Sequence, residues 1–200
     1  MRHDDRRSRR HPMRAVVICA AGVVALGATA GIYAQASGDF NPKITIVELM
    51  DAMVMPNAQI VWDAVSYDVT DKGEKINGPK TDEDWQKVRW AAVTLAEAAN
   101  NLAVPGRNVN KPGVKPGEGE LAPAEIQKLI AANRGAWVAH AKVLYEAVSE
   151  AIKAVDAKDT DKISDAGGNI DSACEGCHLQ FWYPNQGKAE PAKPDATKKK

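Results

Sequence analysis

The chain has 200 residues, 26 of them basic and 26 acidic, for a formal net charge of zero. Six arginines and two aspartates lie before Ser37, so the remainder holds 20 basic and 24 acidic residues, a net charge of −4. With no basic surplus, nucleic acid is excluded as a partner class.

The N-terminus comes in three parts. Arg2, Arg6, Arg7, Arg9, Arg10 and Arg14 form a basic region, Ala15 to Ala34 is free of charge, and Ala34-Gln35-Ala36 has the small-x-small pattern of a cleavage site. This order predicts a signal peptide over residues 1–36, cut after Ala36 or else after Ala34, and hence export to the periplasm. An uncleaved membrane anchor is the alternative, because about 20 apolar residues span a bilayer. The run is rich in Ala and Gly, which makes it a weak span, and membrane contact is expected only if it stays attached.

Residues 37–184 have the length of one domain, and helical patterns recur in them four times. The first covers about 43–67, with Ile46, Met50, Met53, Ile60 and Ala64 expected on one face. Pro56 should kink or break it near Val54 to Pro56. The second, about 82–103, repeats Trp85, Val88, Ala92, Leu95, Ala99 and Leu102 at spacings of three and four. Thr81 is its expected N-cap, Asp82, Glu83 and Asp84 suit its first turn, and Pro105-Gly106 should end it. A long connection, about 105–121, leads to a third segment, about 123–156, whose middle is weakened by Gly135. The fourth, about 161–182, is stopped by Pro184. Strand signals are nearly absent. The expected fold is therefore all-α, an antiparallel four-helix bundle, followed by a disordered tail over 185–200 that ends in Lys198 to Lys200. Many alanines on the helix seams leave room for something bulky inside.

Beyond residue 36 the only cysteines are Cys174 and Cys177. Three residues apart, they close almost no loop, so their role should be chemical. Residues 174–178 read Cys-Glu-Gly-Cys-His, the attachment pattern of a c-type haem. On a helix, positions i and i+3 share a face and i+4 lies beside i. Two thiols so placed can bond the two vinyl groups of one porphyrin edge, and the His178 imidazole reaches the iron from the same side. A thioredoxin-type disulfide would need a βαβ context. A structural zinc site would need four ligands, and outside this cluster the domain offers only His140. The expected cofactor is one covalently attached haem c.

With this motif in its last helix, the chain resembles the class II cytochromes c, the cytochrome c′ family. The resemblance covers the helix order of the domain and not the tail. It implies a four-helix bundle with His178 as proximal axial ligand. It also implies that the sixth iron ligand, where there is one, comes from the first helix, and Met50 matches that position. Met53 is expected on the same face as Met50 and Met55 elsewhere, while both Met50 and Met53 also read as core fillers. His140 is a lesser candidate ligand, and a lone helical histidine is more often a hydrogen-bonded surface residue. Arg89 and Arg107 are candidate partners of haem propionates, with solvated surface as the plainer reading of each.

A methionine ligand would make an electron carrier, since thioether ligation raises the potential. Without a protein ligand the iron would be five-coordinate and would bind NO or CO. The expected function is periplasmic transfer of single electrons to and from redox partner proteins. No nucleophile–base set stands out, so an enzyme is not expected. Oligomeric state is left open, a homodimer included.

Overall fold

The computed structural model describes residues 42–186. The expected signal segment and all but the first two residues of the expected tail lie outside the described residues. Within them the protein is mostly helical, with one two-stranded antiparallel sheet. No described helix is long and apolar enough to cross a membrane.

The first helical stretch is a composite. α1 (Ile46–Leu49) starts at a capping box in which Thr45 Oγ1 accepts from Glu48 N (3.1 Å) and Glu48 Oε2 accepts from Thr45 N (3.0 Å). A π-wound turn, Met50–Val54, follows, and α2 (Met55–Trp62) completes it. The break thus falls before Pro56, which sits in the first turn of α2, where a missing N–H is tolerated. The buried face is Ile46, Leu49, Val54, Ala58 and Val61. That differs from the face expected of an unbroken helix, because the π-turn rotates everything beyond it.

The helix also ends earlier than expected, and a hairpin replaces its tail. β1 (Ser66–Thr70) pairs antiparallel with β2 (Gly73–Asn77), placing Tyr67 opposite Ile76 and Val69 opposite Glu74. The expectation of no strands is wrong here. Tyr67, Val69 and Thr70 favour extended backbone. Tyr67 and Val69 alternate with polar residues, and Gly73 adopts a positive φ of 115° at the turn. Every strand residue but Asn77 is exposed, so burial gave no periodic signal.

α3 (Asp82–Leu102) begins as expected: Thr81 Oγ1 accepts from Asp84 N (3.1 Å) and Asp84 Oδ2 accepts from Thr81 N (2.9 Å). The connection after it is long but anchored. The carbonyls of Asn108 and Val109 accept from the N–H groups of Ile46 (2.9 Å) and Val47 (3.0 Å), donors that a helix start leaves unpaired. Gln127 holds the same loop by accepting from Val109 N (2.9 Å).

The expected third helix is two, α4 (Pro123–Ala132) and α5 (Arg134–Asp156). The break is at Asn133, not at Gly135. The Leu129 carbonyl accepts from both the Asn133 backbone N–H and its side-chain amide, each at 2.9 Å. This is the competition between side chain and backbone that makes Asn a poor helix interior. α6 (Thr160–Phe181) is capped by Asp159, whose carboxylate accepts from Lys162 N at 3.1 Å.

α3 packs on α2 and α5, α5 on α6, and α6 on α2. Trp137 near the start of α5 donates Nε1 to Leu102 O at the end of α3 (2.7 Å), while Arg89 in the first half of α3 pairs with Asp156 at the end of α5 (2.7 Å). These two helices are therefore antiparallel. Trp62 at the end of α2 donates to Gly167 O, early in α6, at 3.0 Å. The core between them is rich in alanine: Ala92, Ala98, Ala99 and Ala151 are fully buried beside Leu95, Val148 and Ile170.

Candidate functional site

The C-terminal end of α6 carries Cys174, Cys177 and His178. Both cysteines are partly buried and unbridged. Burial, helped by the nearby Asp171 carboxylate, pushes the Cys174 thiol up to about 11. Burial, helped by Cys174, pushes Cys177 up to about 12. Both are therefore thiols at neutral pH, the reverse of the stabilised thiolate that a disulfide oxidoreductase presents. Burial also lowers the pKa of His178, against the pull of Glu175 and Glu120. A neutral imidazole is the form that ligates a metal.

Two aromatics that follow His178 lie near its ring. Its centroid lies 6.1 Å from Trp182 and 6.4 Å from Tyr183. The helix end turns on the His178 carbonyl, which accepts from the N–H groups of both residues at 2.8 Å. Tyr183 donates its hydroxyl to Glu120 (3.1 Å), and Leu121 N donates to Trp182 O (3.0 Å). The loop before α4 thus braces the segment that flanks the imidazole.

All three motif residues line one cavity. The same cavity is lined by Met50, Val54 and Ala58 of the first helical stretch, with Leu102 of α3 and Trp137, Ala141 and Leu144 of α5. Its volume is about 150 Å³. That is below the ~300–1,000 Å³ of typical small-molecule and cofactor sites. The lining is almost wholly apolar, built partly from the small side chains Ala58, Ala141 and Ala173.

The other candidate residues divide. Met50 lines the cavity. Met53 does not; it packs against the hydrophobic core elsewhere. Met55, expected to point away, does line the cavity. The π-turn is the cause, since sequence spacing was converted to angle on a regular helix. His140 also lines the cavity, but its Nε2 is 2.7 Å from Gln180 Oε1 of α6. Its ring lies against Gly176, where an added Cβ would be 3.7 Å from Cε1. His140 is thus an α5 residue whose ring packs against α6. Arg89 is engaged by Asp156, away from the cavity. Arg107 is buried, donates Nη1 to Ile44 O at 2.5 Å, and leaves its Nε without a partner; neither arginine is part of the lining. Among the described residues there is no cluster of three His, Cys, Asp or Glu side chains that could hold a metal ion. Compared with protein-family models, curated proteins and solved structures, the chain gave no match in any of the three.

Proposed function

We propose that the chain is an exported class II c-type cytochrome, a four-helix bundle formed by α1–α2, α3, α5 and α6, that carries single electrons between redox partner proteins in the periplasm. One observation carries this reading: Cys174, Cys177 and His178 border the same apolar cavity, with Met50 in its lining on another helix. The donor set suits a haem c. Two neutral thiols would tether the porphyrin, a neutral imidazole would bind the iron, and a thioether would complete its coordination. Bound there, the haem supplies one-electron redox chemistry, and methionine ligation favours the ferrous state.

The chain's own residues would do the rest. Cys174 and Cys177 fix the porphyrin to α6, so it does not dissociate. Trp182 and Tyr183 would pack beside the His178 ring and restrict its rotation. Trp137, Ala141, Leu144 and Leu102 line the cavity with apolar surface, which would limit the reorganisation that accompanies a change of charge. The partner would take or give its electron at the open mouth.

A five-coordinate haem that binds NO or CO is the second reading, favoured by the apolar wall of Val54, Ala58 and Leu144. Optical spectra of the haem-loaded protein separate the two. The electron carrier is low-spin, shows a thioether-to-iron charge-transfer band when oxidised, and resists CO when reduced. A high-spin spectrum in both oxidation states, with ready CO binding, would overturn it in favour of the gas-binding reading.

A further inference from the structure

Met50 is not the only thioether on the cavity. Met55 lines it too, yet it is 54% exposed, so core packing does not account for it. On a regular α-helix, residues five apart lie about 140° apart around the axis. Here the turn from Met50 to Val54 is π-wound, and the Met55 N–H donates to Met50 O, five residues back. That winding stacks residue i+5 closer to residue i than a regular helix does, and both methionines line the one cavity.

The turn has a local chemical cause. Pro56 has no N–H, so the α-type bond to the Ala52 carbonyl does not exist. The Asn57 side-chain amide donates to the Met53 carbonyl at 2.7 Å. Such π-turns inside helices concentrate at functional sites. Methionine is unbranched, with three rotatable bonds, so either side chain can extend into or withdraw from the cavity without a backbone shift.

We propose that Met50 and Met55 are an exchangeable pair of axial thioethers, presented to one cavity by the π-turn between them. This rests on the reading of the site as a Met-ligated haem. Met55 would serve as the second donor when the Met50 side chain withdraws, so that a bound iron would keep sulfur ligation through side-chain motion alone.

The test uses leucine, which conserves the volume of methionine and removes only the sulfur. The haem-loaded full chain is compared as wild type, Met50→Leu, Met55→Leu, Met53→Leu and the Met50→Leu/Met55→Leu double variant, by optical and electron paramagnetic resonance spectra and by reduction potential. The wild type and all three single variants are expected to be low-spin, with a shifted potential in Met50→Leu. Only the double variant should lose the low-spin signal and bind CO when reduced. A Met50→Leu protein as high-spin as the double variant would overturn the exchange and leave Met50 as sole ligand. A low-spin double variant would overturn it as well, by requiring another ligand. A high-spin wild type would overturn the Met-ligated reading itself, and the exchange with it.

Discussion

Trp137 joins the fold to the site. It is 2% exposed, lines the cavity, meets Phe181 edge-on at 5.3 Å and stacks on Trp182 at 6.2 Å. Its indole N–H caps the end of α3 at Leu102 O (2.7 Å), a carbonyl that the helix itself leaves unpaired. Trp137→Ala removes the packing and should cost about 3–5 kcal/mol. Trp137→Phe keeps an aromatic ring but strands a buried carbonyl, which costs about 1–3 kcal/mol. For a domain of this size 1 kcal/mol moves Tm by roughly 2–4 °C, so Trp137→Phe should melt about 2–12 °C lower. Urea titration of both variants, read by far-UV circular dichroism, gives the two costs separately. A Trp137→Phe protein as stable as wild type would refute the capping role, and a loss below about 1 kcal/mol in Trp137→Ala would refute the packing account.

Other outcomes follow from single contacts. Gly168, exposed within α6, has no atom within 4 Å of where a Cβ would sit, whereas a Cβ on Gly167 would lie 3.3 Å from Trp62 Cδ1. Gly168→Ala should therefore stabilise by up to about 1 kcal/mol through helix propensity, and Gly167→Ala should gain less, by thermal melting of the pair. Glu48 is held down to about 2 by its hydrogen bond to Lys111 and by those from Thr45. A depressed carboxylate stabilises the fold above its unfolded value near 4.5 and loses that contribution as the pH falls towards 2. Acid unfolding of Glu48→Gln should accordingly be flatter across this window than that of wild type; parallel curves would count against the contact. Cys177→Ala in the haem-loaded protein should leave one thioether and one free vinyl, seen as a pyridine haemochrome band moved to longer wavelength. An unmoved band would mean that Cys177 is not a tether.

Residues whose role depends on local chemistry were readable before any fold was known. The Thr81 cap needs only its own hydroxyl and the N–H three residues on. The facing of Cys174, Cys177 and His178 needs only one regular helical turn, and α6 supplies it. What escaped was whatever depended on a departure from regular winding or on a distant partner. Met53 and Met55 exchanged places because the π-turn changes the angle per residue, and no hydrophobic pattern registers that. His140 read as a hydrogen-bonded surface residue, but its partner, Gln180, lies forty residues on and only the fold brings it within 2.7 Å. The hairpin was missed because an exposed sheet has no buried face to write a period of two into a hydrophobicity pattern. Its aromatic and β-branched residues were the remaining signal. The break at Asn133 was visible in principle, since Asn disfavours helix interiors, but the neighbouring Gly135 seemed the weaker point.

Covalent haem attachment at α6 is the central claim. It is tested most directly by the intact mass of the protein, produced in a host that matures c-type cytochromes and measured after acid–organic extraction. One haem retained per wild-type chain, and none in the Cys174→Ala/Cys177→Ala double variant, is the expected result. A wild-type chain that leaves the extraction without haem would contradict it.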